Sequence, residues 1–117
     1  MIHKPTALAL GLLLSATAAF AHSDAFKPAF VDTLVDPYLS IQQGLAGDDL
    51  SVAKAGAQAY LKAMEKAPHE GKAHAEAAEL SQPATQLLKA DDIQVARSAF
   101  RDLSRQITPL VKHVGTT

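Results

Sequence analysis

From Leu50 onward the apolar positions fall at Leu50, Ala53, Ala57, Tyr60, Met64 and Ala67, a spacing of threes and fours that lines one face of an α-helix. The spacing returns 43 positions later, at Ile93, Ala96, Phe100, Leu103, Ile107 and Leu110, and Val114 extends it by one step. Polar residues repeat with it: Asp48 and Asp49 fall on Asp91 and Asp92, and Lys54 falls on Arg97. A self-similarity of this period marks one supersecondary unit used twice.

The paired aspartates read as helix starts. Asp48 and Asp91 are expected at the N-caps, where a carboxylate can accept an orphan backbone N–H, with a second Asp in the first turn suited to the positive helix end. Gln94, three residues after Asp91, would complete a capping box. Adjacent residues on a helix do not face each other, which disfavours a metal or acid/base role for either pair.

Each capped helix is preceded by another helical stretch. Phe26 to Ala46 carries Phe30, Leu34, Ile41 and Leu45, with Gly47 as a stop; Glu70 to Lys89 carries Ala73, Ala77, Leu80, Ala84 and Leu87. Pro37 and Pro83 fall inside these patterns, so each helix is expected to kink there or to start afresh with proline in its first turn. The intervening links are short enough to force each pair into an antiparallel hairpin. The expected fold is therefore all-α: an up-down four-helix bundle built from two repeated antiparallel helical hairpins.

Charge follows the repeat. Lys54, Lys62 and Lys66 on the second helix match Arg97, Arg101 and Arg105 on the fourth, while Asp32 and Asp36 on the first and Glu76 and Glu79 on the third are acidic. Alternating basic and acidic helices predict a solvated surface with weak ion pairs.

The first residues carry a different message. Lys4 precedes the apolar run Ala7 to Leu14, and small residues end at Ala19-Phe20-Ala21, the layout of a secretory signal peptide over residues 1–21. Ser15 and Thr17 break the run well before the roughly 20 apolar residues of a bilayer span. Cleavage after Ala21 would start the folded domain, 22–117, at His22; cleavage after Ala19 would leave His22 in third place. The full chain has a net charge of −1 and no cysteine. The charge lacks the clustered basic excess of a nucleic-acid binder. Absence of cysteine excludes disulfides, thiolate metal sites and C-x-x-C-H haem attachment, and an exported chain of this kind fits the periplasm of a Gram-negative cell.

With Asp91-Asp92-Ile93, Ala96-Arg97, Phe100 and Leu103-Ser104 placed on one capped helix, and Tyr38-Leu39, Leu45 and Asp48-Asp49 upstream, the chain resembles the bacterial exported domain of unknown function DUF3347. The resemblance spans about Phe30 to Val114. It implies a helical envelope accessory, since such domains occur alone or fused to the membrane-fusion subunits of heavy-metal efflux systems, and hence an efflux adaptor as a partner and copper as a nearby ion. Members often continue into a segment with a Cys-Pro-Met motif. This sequence carries Val114-Gly115-Thr116-Thr117 there, so the resemblance speaks for the fold more than for metal chemistry.

Candidate chemistry is concentrated in histidine. His22, as the first residue of the processed chain, could chelate Cu(II) through its amine and imidazole; in third place it would form a square-planar site with two backbone amides. His69 and His74 lie five apart and on different faces of a helix, not at the i, i+4 spacing a metal pair prefers. His113, beside Lys112, suits a helix C-terminus. Met64 and His113 both fall late on parallel helices, where a haem electron carrier could hold its iron, but a core Met64 and a surface His113 are the favoured reading. No G-x-S-x-G, phosphate-cradling Gly-rich loop, H-E-x-x-H or EF-hand spacing occurs. The sequence thus reads as an exported, non-enzymatic accessory or protein-interaction module, with a small periplasmic Cu(II) binder using His22 as the alternative.

Overall fold

The computed structural model describes residues 26–117, which form four helices: α1 (Pro28–Ala46), α2 (Leu50–Met64), α3 (Gly71–Leu88) and α4 (Ile93–Val114). Helices α1 and α2 form one hairpin and α3 and α4 the other. Contacts between α2 and α3 and between α1 and α4 close the ring, and α2 touches α4 across the centre. The antiparallel course of α1 and α4 is marked by three bonds along their length. Leu45 meets Arg97, Tyr38 meets Ser104, and Asp32 meets Thr117. The molecule is the up-down four-helix bundle that the periodicity predicts.

The repeat holds in the core. Ala53 and Ala96, Tyr60 and Leu103, Met64 and Ile107, and Ala67 and Leu110 are buried in matched pairs. Fully burying side chains such as Leu34, Ile41, Leu80, Leu87 and Leu103 contributes about 1.5–3 kcal/mol each, which is what drives helices of this length to fold together. Phe100 departs from the pattern. It is half-buried and stacks on Tyr38, ring centroids 4.9 Å apart, at the seam between α1 and α4.

Both caps lie one residue later than the sequence reading placed them. The N-caps are Asp49 and Asp92, whose carboxylates accept from Val52 N at 3.1 Å and Val95 N at 2.9 Å. The N3 position of α4 is then Val95, so Gln94 completes no capping box. Asp48 is displaced from the cap because it ends α1: at φ 55 it is left-handed, its N–H bonds to Leu45 O at 3.2 Å, and Asp49 N–H bonds to Gly44 O at 2.8 Å. These two bonds are those of a Schellman C-cap, with Asp48 where glycine is usual.

Neither Pro37 nor Pro83 starts a fresh helix. Helix α1 starts at Pro28, whose missing N–H costs nothing in a first turn, and then runs through Pro37 without restarting; α3 likewise runs through Pro83, and α4 through Pro109. Packing on the core outweighs the bond each internal proline removes. On the core side of the turn that leads to Pro83, the buried Tyr60 hydroxyl donates to Leu80 O at 3.1 Å, which fastens α3 to α2.

Glu76 is a second correction. The sequence reading put it on an acidic surface face with Glu79, but it is only 8 % exposed, on the inward register of Ala73, Leu80 and Leu87. That register is as helical as the one through Ala77, which is half-buried. Among the described residues two of the arginines form ion pairs, Arg97 with Asp48 and Arg105 with Asp102 of its own helix, the latter in solvent as a weak surface pair should be.

Candidate interaction groove

The two hairpins share a pattern but not a separation. In the first, Gly44 and Gly56 let the helices touch: a Cβ at Gly44 would lie 2.4 Å from Ala53 N, and one at Gly56 would lie 2.8 Å from Ile41 N. Shifting by the 43-residue repeat replaces Gly44 with Leu87 and Gly56 with Ala99. Leu87 fills the interior, Ala99 adds a methyl, and Pro83 adds a ring on the facing side of α3. The second hairpin accordingly leaves a groove of about 660 Å³ between α3 and α4.

The floor of this groove is made by the buried Pro83 and Ala99. Its walls carry the amides of Gln82, Gln86 and Gln106 and the Ser98 hydroxyl, and Val95, 49 % exposed, stands at one end. Glu79, Asp102 and Arg105 lie toward the other end. Arg105 Nη1 is 3.6 Å from Asp102 Oδ1, with both side chains largely in solvent. Because Pro83 has no N–H, the Glu79 carbonyl one turn back has no α-helical donor, which adds an acceptor to an acceptor-rich surface. Such a surface can hydrogen-bond a polypeptide. Its paired charges, Asp102 and Arg105, are solvated.

The histidines singled out by sequence lie elsewhere. His69 is exposed in the link 65–70 and His74 is exposed in the first turn of α3. His113 is exposed in the last turn of α4. His22 lies outside the described residues. Met64 is packed in the core at 5 % exposure, so Met64 and His113 share an end of the bundle but not an environment. Among the described residues no group of three or more His, Cys, Asp or Glu could hold a metal ion, and no helix is long and apolar enough to cross a membrane.

Sequence reading missed the groove. Its signal was present in the residues that break the repeat, Gly44 against Leu87 and Gly56 against Ala99, because a glycine facing a neighbouring helix sets how closely the backbones approach. Burial pushes the Tyr60 phenol above its ordinary value. It serves the α2–α3 contact and lies apart from the groove.

No curated protein and no solved structure matches the chain. A family model matches residues 34–117, from the middle of α1 to the last residue, and with the helical hairpins and their capped repeats it shows that the chain belongs to the family described as "Protein of unknown function (DUF3347)".

Proposed function

We propose that this chain is an exported helical-bundle interaction module of the bacterial envelope, acting through its α3–α4 face. The observation that carries the reading is the asymmetry of the hairpins. One hairpin is closed by glycines, and its repeat-mate is held open over a floor of Pro83 and Ala99 with amide and charged walls. Amides and paired opposite charges on an open groove recognise backbone and polar side chains of another protein, whereas small-molecule sites are more enclosed and more apolar. The Lys4-to-Ala21 leader supports export to the periplasm, and the efflux setting implied by the resemblance supports a membrane-fusion adaptor as the partner.

The test is site-specific photocrosslinking in cells. A crosslinking side chain at Gln86, in the groove, should give a discrete adduct in the periplasmic fraction, and one at Arg101, exposed outside the groove, should not. Equal labelling from the two positions, or retention of the protein in the cytoplasm, overturns the reading.

A further inference from the structure

We propose that the end of the bundle joined to the leader docks on an anionic phospholipid surface, that of the membrane the leader crosses; the inference rests on the export reading and not on the groove. Phe26 marks the junction. It is 4 % exposed and stacks on Phe30 with ring centroids 5.3 Å apart, so the chain is fastened to the core from there onward. Residues 15–26, which join the leader's apolar run to that anchor, span at most about 43 Å when extended, and residues 22–26, beyond the expected cut after Ala21, at most about 18 Å. While the leader lies in the bilayer, the end carrying Phe26 is the one turned toward it.

The helix ends gathered there are basic. Lys27 at the N-cap of α1, Lys62 in the last turn of α2, Lys66 in the link beyond it, Lys72 in the first turn of α3 and Lys112 in the last turn of α4 are all exposed. They outnumber the acids of that end, Asp32, Glu65 and Glu70, and Asp32 accepts from the Thr117 N–H at 3.1 Å. At the opposite end the balance reverses, since Asp48, Asp49, Asp91 and Asp92 outnumber Lys54, Lys89 and Arg97. A negatively charged lipid surface attracts the first end and repels the second, which is the orientation the tether imposes. An acidic protein would match the lysines alone. The position of the tether is what selects the membrane. Each lysine near such a surface strengthens binding about fivefold, and salt screens the attraction.

Vesicle flotation with the purified processed protein tests this, with phosphatidylglycerol vesicles set against phosphatidylcholine vesicles. Wild type should float with the first in low salt, stay behind with the second, and leave the first near about 0.5 M salt. Lys62→Ala with Lys66→Ala should weaken binding to phosphatidylglycerol roughly 30-fold. Lys54→Ala with Lys89→Ala, the same loss of charge at the opposite end, should weaken it less than about threefold. Equal losses from the two pairs, or flotation that ignores lipid charge, overturns the proposal. So does a wild type that floats with neither vesicle, including one whose Lys66 position crosslinks in cells to an acidic protein. A vesicle failure overturns this inference alone, whereas cytoplasmic retention, seen by fractionation, overturns the export reading and this inference with it.

Discussion

Arg97, on the first turn of α4, donates from Nη2 to the Leu45 carbonyl at 2.9 Å and pairs with the Asp48 carboxylate. One guanidinium thereby satisfies a carbonyl at the end of α1 and steadies the left-handed Asp48 beside it, tying the corner of one hairpin to the start of the other. Arg97→Ala should cost about 1–2 kcal/mol in urea unfolding, mostly through the Leu45 carbonyl. The Asp48 side chain is 75 % exposed, so a double-mutant cycle between Arg97 and Asp48→Asn should return less than about 1 kcal/mol of coupling.

Closure of the first hairpin rests on two missing side chains. Gly44→Ala must push against the backbone of Ala53 and Gly56→Ala against Ile41, and each should lose about 1–3 kcal/mol although alanine is the better helix former by about 1 kcal/mol. Gly47→Ala is the control, because its nearest neighbour atom is 3.5 Å away and its φ is −93. Denaturation midpoints should place it within about 0.5 kcal/mol of wild type.

The caps can be separated from their neighbours by substitution. Asp49→Ala and Asp92→Ala each remove the acceptor for an N3 amide and should cost about 1 kcal/mol. Asp91→Ala removes an exposed carboxylate next to a cap and should cost less than about 0.5. Equal losses at Asp91 and Asp92 in thermal melts would return the cap to the earlier residue.

Tyr60 gives the bundle an alkaline limit. Burial raises its phenol above the ordinary value of 10.0, so below that pH both folded and unfolded chains hold the proton and stability is unaffected. Above it the unfolded chain ionises first and binds fewer protons, and stability falls by up to about 1.4 kcal/mol per pH unit from this group. Tyr60→Phe should lose about 1 kcal/mol at neutral pH with the bond to Leu80 O, and should show a shallower decline in stability measured from pH 9 to 11.

Along α4, burial sets the order of three truncations. Leu103 is fully buried, and Leu103→Ala should cost about 2–5 kcal/mol. Phe100→Ala removes a half-buried ring stacked on Tyr38 and should cost less than a fully buried aromatic, about 1.5–3. Arg101 points to solvent, and its loss should stay within about 0.5 in the same urea melts.

The candidate site was less legible than the fold for a reason visible in single residues. The 3-4 spacing of Ala53, Tyr60 and Met64 and its echo at Ala96, Leu103 and Ile107 are local facts, and an α-helix converts them directly into a buried stripe. The same rule could not choose between Glu76 and Ala77, since both fit an inward register. Only the helices covering α3 decide which one is buried.

What the sequence by itself determined is therefore the set of helices, their pairing into two antiparallel hairpins, the matched cores of α2 and α4, and the caps to within one residue. Those features depend on neighbours within a turn or two of chain and on links too short to allow another path. Tertiary structure alone decided that Asp48 would end α1 and meet Arg97, that Pro37 and Pro83 would be carried inside unbroken helices, and that one hairpin would close while its repeat stayed open. Each of these depends on how near two helices come to one another. That distance is set by facing residues such as Gly56 and Ile41, or Ala99 and Pro83, which lie far enough apart in sequence that no periodicity along either helix contains it.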